Sequence, residues 1–161
     1  MAAAILVPLL VHKLPWAWPK PAGAYLLPVF WTVFIAVYFT DVRIGLAVAL
    51  AMPLVNLLVT GLPALDWLGP MGLELTGYVL VASWLVKRWP GMWLAAPLAY
   101  LPAKALVVAL QWFIPAMHDP RNPIVHLRDS ISNGLAGLAV LLVINLVLVK
   151  IAPRDLDWDR E

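Results

Sequence analysis

The stretch SISNGLAGLAVLLVINLVLVKI, residues Ser130 to Ile151, decides how the chain around it is read. A helix needs about 20 mostly apolar residues to cross the hydrocarbon of a bilayer. This stretch supplies that length with one charge, Lys150, close to its end. It is far longer than a barrel strand and does not alternate between apolar and polar residues, so it reads as a spanning helix.

Composition agrees. Of 161 residues, 63% are apolar and 12% charged, against about 45–50% and about 25% in soluble domains. A soluble domain of this size buries only about 68–70% of the surface its unfolded chain exposes, too little to hide so much apolar material. The expected solvent is lipid, which sets aside soluble enzymes, nucleic-acid-binding modules and disordered chains. Net charge is +2, without the Lys/Arg stripe that captures nucleic acid. There is no cysteine, hence no disulfide or thiolate metal site. The N-terminus lacks a basic n-region, and Ala2-Ala3-Ala4 precedes the apolar stretch instead of following it, unlike a signal peptide.

Working back from Ser130, five more candidate spans emerge: Ala2 to His12 (extendable to Trp16), Ala24 to Thr40, Val42 to Leu62, Met71 to Val86, and Trp93 to Met117. The first is short and reads equally as an interfacial or re-entrant segment. Pro15, Pro19 and Pro21 with Trp16 and Trp18, then Gly61-Leu62-Pro63, Gly69-Pro70 and Lys87-Arg88-Trp89-Pro90-Gly91, separate the spans. His118 through Asp129 is the longest polar stretch, with Asp129 or Ser130 the expected N-cap of the last helix. Six crossings put both termini on one side. That side collects Arg43, Lys87, Arg88, Lys150, Arg154 and Arg160, against Lys13, Lys20, Arg121 and Arg128 opposite, so the positive-inside rule favours cytoplasmic termini.

Ionisable groups inside spans are costly and mark function. Glu74 lies one turn into the fourth candidate and Lys104 midway along the fifth. They line a cavity for a charged solute, or they pair across neighbouring helices, a pairing that needs reach. Asn56, Gln111, Asn133 and Asn145 are candidates for interhelical hydrogen bonds. Tyr78 shares a helix face with Glu74, and Thr76 lies between them. His12, His118 and His126 have no metal-ligand spacing. Trp16, Trp18, Trp67, Trp89, Trp93 and Trp112 fall at expected helix ends, as in an aromatic belt. Gly134, Ala136, Gly137 and Ala139 permit close packing of the last helix. Pro53, Pro97 and Pro102 are expected to interrupt helices and hint at a pocket. No nucleotide-binding or nucleophile motif is present.

Several segments resemble one known family. Ala51-Met52-Pro53-Leu54-Val55-Asn56-Leu57-Leu58-Val59-Thr60-Gly61-Leu62-Pro63 is similar to a stretch in the substrate-binding S components of energy-coupling factor (ECF) transporters, small bacterial membrane proteins of vitamin uptake. Arg43-Ile44-Gly45 resembles their Pro-Arg-x-Gly turn. Met71 through Tyr78, followed by Lys87-Arg88, looks like their fourth helix and the basic turn after it. Asn133-Gly134-Leu135-Ala136-Gly137 through Lys150 resembles their sixth helix, which opens with Gly-Leu-Pro-Gly. The likeness spans roughly residues 24–150.

The resemblance implies an all-α membrane protein, a six-transmembrane-helix bundle forming one integral domain over residues 1–161 of a bacterial plasma (inner) membrane. It implies a non-enzymatic subunit without cofactor or metal, holding a vitamin or similar solute near the outer face. Carried over by position, Glu74, Tyr78, Lys104, Gln111 and Asn133 become site candidates, with Asn56 contributing from the third helix. The implied partners, besides lipid, are a second membrane subunit and two cytoplasmic ATPases. The acidic tail, Asp155 to Glu161, and the first helix's departure from the family pattern favour an alternative, a non-transporting structural subunit with such a fold, as in rod-shape scaffold proteins. Ala2, Ala3 and Ala4 are followed four residues on by Leu6, Val7 and Pro8, where the family often has an Ala-x-x-x-Ala docking face. Ala136 stands where proline is common, and Asp41 where glycine is usual.

Overall fold

A computed structural model describes residues 10–11, 22–61, 63–113 and 122–153. The candidate span Ala2 to His12 lies outside them except for Leu10 and Val11, as does the acidic tail Asp155 to Glu161. The described residues form helices and turns, with no strand among them. They comprise a short α1 (Ala22–Leu26) and five longer helices: α2 (Pro28–Phe39), α3 (Val42–Thr60), α4 (Leu68–Arg88), α5 (Ala95–Phe113) and α6 (Pro123–Ile151). A single 3-10 turn, Leu65–Trp67, leads into α4. Two segments, Ala95–Phe113 and Ile124–Ile151, are long and apolar enough to cross a membrane.

The expected span Ala24 to Thr40 is not continuous. Leu27 takes the left-handed conformation, φ 53° and ψ 44°, which costs a residue with a Cβ about 1–2 kcal/mol. Pro28 follows, and the residue before a proline is pushed out of the right-handed helical region. The chain therefore kinks at Leu27 and restarts as α2 with proline at its head. At α2's other end Thr40 closes the helix onto Ala36. Asp41, the departure noted in the sequence, accepts a hydrogen bond from the Ile44 amide at 2.9 Å and so caps α3.

The last helix starts earlier than expected. Asn122, not Asp129 or Ser130, is its N-cap, accepting from the Ile124 amide at 2.9 Å, and Pro123 occupies the first turn, where its missing donor costs nothing. His126 through Asp129, read as loop, are thus helical. The prolines also need correction. Pro97 sits in the first turn of α5 and interrupts nothing, and Pro102 faces outward, so neither of them opens toward the interior. Pro53 is buried within a continuous α3.

α2 is the central rod. Eight of its residues are buried: Pro28, Val29, Phe30, Thr32, Val33, Phe34, Val37 and Tyr38. It packs on α3, α4 and α6, while consecutive helices from α3 to α6 pack on one another. Gly45 admits the crossing of α3 with α2 and α4, since a Cβ there would stand 2.7 Å from Val37 Cγ2 and 3.1 Å from Val79 Cγ1. On α6, a Cβ at Gly134 would meet Leu27 Cδ1 at 3.3 Å, and one at Gly137 would meet the Leu26 backbone at 2.8 Å. These two glycines form the notch that receives the kink. Ala136 and Ala139, read with them as a packing face, are exposed instead.

Two contacts fix the ends. Tyr38 Oη donates to the Ala152 carbonyl at 2.8 Å, and Asn145 reaches the turn between α4 and α5. One end of the bundle therefore gathers the α2–α3 junction, the Arg88–Ala95 turn and the end of α6, with Arg43, Lys87, Arg88 and Lys150. The other gathers the kink, the 3-10 turn, the end of α5 and the start of α6.

Candidate functional site

α4 and α5 run antiparallel and close. A Cβ at Gly77 would lie 3.7 Å from Ala103 Cα and 3.1 Å from Leu106 Cδ2, so glycine at this position allows the approach. One turn away along α4, Glu74 meets Lys104. The ammonium Nζ lies 2.7 Å from Oε1 and donates to Oε2 at 2.9 Å. Both side chains are nearly enclosed. Glu74 is the buried carboxylate among the described residues, and Lys104 neutralises it. The reach that pairing demanded is supplied by the closeness of the two backbones.

Around the pair stands an aromatic wall that the sequence did not single out. Lys104 Nζ lies 5.8 Å from the centroid of the Tyr100 ring, one turn back on α5, a cation–π distance. Phe30 of α2 packs edge-on against both Tyr78 and Tyr100, with centroids 5.1 Å away in each case. Phe30 thus joins α2, α4 and α5 at the level of the ion pair. The available signal for Tyr100 was its i, i+4 spacing from Lys104.

Two polar groups here are unsatisfied. The Tyr78 hydroxyl is fully buried without a hydrogen-bond partner among the described residues. Gln111 is 1% exposed, and neither its amide nitrogen nor its amide oxygen has a partner among them. Gln111 lies seven residues beyond Lys104, about 10 Å further along α5. The opposite direction along α4 leads from Glu74 to the 3-10 turn, where Trp67 stacks on the buried His126 of α6, centroids 5.8 Å apart.

No family model, curated protein or solved structure matches this chain.

The other candidates stand apart from the pair. Asn56 is buried on α3, and its polar contacts go to Thr60 of the same helix. Asn133 donates to the Asp129 carbonyl one turn back on α6. Asn145, read as interhelical glue, is that: fully buried, it donates to the Met92 carbonyl at 2.9 Å and accepts from the Ala96 amide at 3.1 Å. It thereby satisfies an amide in the first turn of α5, where the helix itself offers no acceptor. His12 and His118 lie outside the described residues, and no group of three or more metal-type ligands converges among those described.

Proposed function

We propose that this chain is the solute-binding subunit of an ECF-type uptake transporter, a multi-pass protein of the bacterial plasma membrane that takes up a vitamin or similar small solute. The supporting observation is the polar interior of α4 and α5. Tyr78 and Gln111 keep hydrogen-bonding capacity buried without partners among the described residues, on either side of the Glu74–Lys104 ion pair. Leaving buried polar groups unpaired costs about 1–3 kcal/mol each. A bundle that served only to pack would do better with apolar side chains at both positions. A polar guest would recover that loss on binding.

The exterior supports the membrane part of the reading. Leu135, Ala139, Val143, Val147 and Ile151 form an exposed apolar stripe along α6 at four-residue spacing, and Ile44, Leu50, Leu54 and Leu58 form another on α3. Water would penalise both, and acyl chains would cover them. Arg43, Lys87, Arg88 and Lys150 share one end of the bundle, against Arg128 at the other among the described residues, which orients the basic end to the cytoplasm. The solute would then enter at the end bearing Trp67, His126 and Gln111. A second membrane subunit and two cytoplasmic ATPases would supply the energy for release.

The alternative, a structural subunit of a larger membrane complex, is favoured by the way Glu74 and Lys104 already satisfy each other. Thermal unfolding of the purified chain against B-vitamins and their precursor bases separates the two. A concentration-dependent rise in Tm with one compound is expected for the transporter subunit. No rise with any of them, and co-purification with a non-transport assembly in mild detergent, would establish the alternative.

A further inference from the structure

We infer that Gln111 reads a cis-amide edge, an N–H and a C=O side by side, on a solute of zero net charge. The inference rests on the reading of this interior as a solute site, and it names the class of solute. Both halves of the Gln111 carboxamide are free of partners among the described residues, and the side chain is 1% exposed. A carboxamide with its donor and acceptor both open is best met by an acceptor and a donor side by side on one edge of the guest, through two parallel hydrogen bonds. Open-chain secondary amides are trans and present those groups on opposite edges. A ring lactam, or a primary amide, presents them together.

Charge narrows the class further. Glu74 and Lys104 cancel within the same helix pair, at 2.7 Å. A solute with a net charge would either stand uncompensated in an apolar bundle or have to break that pair, and both are costly. A carboxylate would also set oxygen against the Gln111 oxygen. A neutral amide-bearing compound avoids all three penalties.

The test is binding to the purified full-length chain by calorimetry and thermal unfolding, with two matched pairs of probes: uracil against 1,3-dimethyluracil, and nicotinamide against nicotinate. The expected result is that uracil or nicotinamide binds at least tenfold more tightly than its partner compound. Gln111→Leu should leave the Tm of the empty protein unchanged or raised, because no hydrogen bond to a described residue is lost, while abolishing the preference. Equal binding within both pairs, tighter binding of nicotinate, or a lowered Tm in Gln111→Leu with the preference intact would overturn the inference. Stabilisation by a vitamin with both pairs silent would overturn it and leave the transporter reading standing. Silence of every solute tried would remove both.

Discussion

Gly137 of α6 and Leu26 of α1 touch backbone to backbone: a Cβ built on Gly137 would stand 2.8 Å from the Leu26 carbonyl carbon and oxygen and 2.6 Å from Leu27 Cγ. A main chain cannot swing aside as a long side chain does. Gly137→Ala should therefore push the kink off α6 and destabilise the bundle by about 1–3 kcal/mol. At Gly134 the nearest atoms are the Leu27 side chain at 3.3 Å and the Tyr100 hydroxyl at 3.4 Å, so Gly134→Ala should cost less. Thermal unfolding of the two variants in one detergent checks the order. Equal Tm values would show that the kink does not rest in this notch.

The ion pair makes a prediction of opposite character for single and double changes. Lys104→Met strands a buried carboxylate and Glu74→Gln strands a buried ammonium, and removing one partner of a buried pair costs about 3–5 kcal/mol. Replacing both, as Glu74→Leu with Lys104→Met, removes both desolvation costs and should restore most of the stability. A double-mutant cycle by thermal unfolding measures the coupling. Additive losses would mean that the 2.7 Å contact does not form in the folded protein.

How far the sequence carried this reading depends on the kind of information each residue holds. The helices from Val42 onward were legible because glycine, proline and tryptophan punctuate them, and Gly61, φ 74°, ends α3 where the Gly-Leu-Pro signal stood. The break at Leu27 was not legible. Leucine has no preference for the left-handed region, and tertiary packing against Gly134 and Gly137 holds it there. The start of α6 was misread because Asp129 and Ser130 resemble caps as well as Asn122 does, and the polar first turns of a helix look like loop. Glu74 and Lys104 were visible as rare charges in apolar runs. Their contact, and the aromatic wall of Phe30 and Tyr100, depend on how closely Gly77 lets two helices approach.

Asn145 closes the α4–α5 turn through two hydrogen bonds, to Met92 and from Ala96. Asn145→Leu would leave an amide and a carbonyl unpaired in a fully buried position and should cost about 1–3 kcal/mol. Asn145→Asp keeps the acceptor for Ala96 but loses the donor to Met92, and buries a carboxyl group. It should fall short of wild type as well. Hydrogen exchange localises the effect: faster exchange at Ala96 is expected in Asn145→Leu, which removes its acceptor, and unchanged protection there would show that the clamp is idle.

Asp41 offers a surface counterpart. Its carboxylate caps α3 through the Ile44 amide at 2.9 Å, and loss of such a cap costs about 1 kcal/mol. Asp41→Ala should lower the Tm slightly and Asp41→Ser should recover it. Asp41→Gly should lie close to Ser, since glycine is tolerated at N-caps at a cost of only a few tenths of a kcal/mol. A drop as large for serine as for alanine would assign Asp41 some role besides capping.

The absence of cysteine from the chain lets the crossing itself be read without background. Leu65, in the 3-10 turn, and Gly91, in the turn after α4, are both exposed and flank α4 at its two ends. The 21 residues of α4 rise about 31 Å, which matches the roughly 30 Å of hydrocarbon in a bilayer. A Cβ at Gly91 meets nothing within 4 Å, so cysteine fits there without strain. On the proposed orientation, which puts the Gly91 end with Lys87 and Arg88 in the cytoplasm, Leu65→Cys should react with a membrane-impermeant maleimide on intact cells. Gly91→Cys should react only after permeabilisation. Labelling of both from the same side would mean that α4 does not cross, and with it the bundle would lose its claim to carry a solute from one face of a membrane to the other.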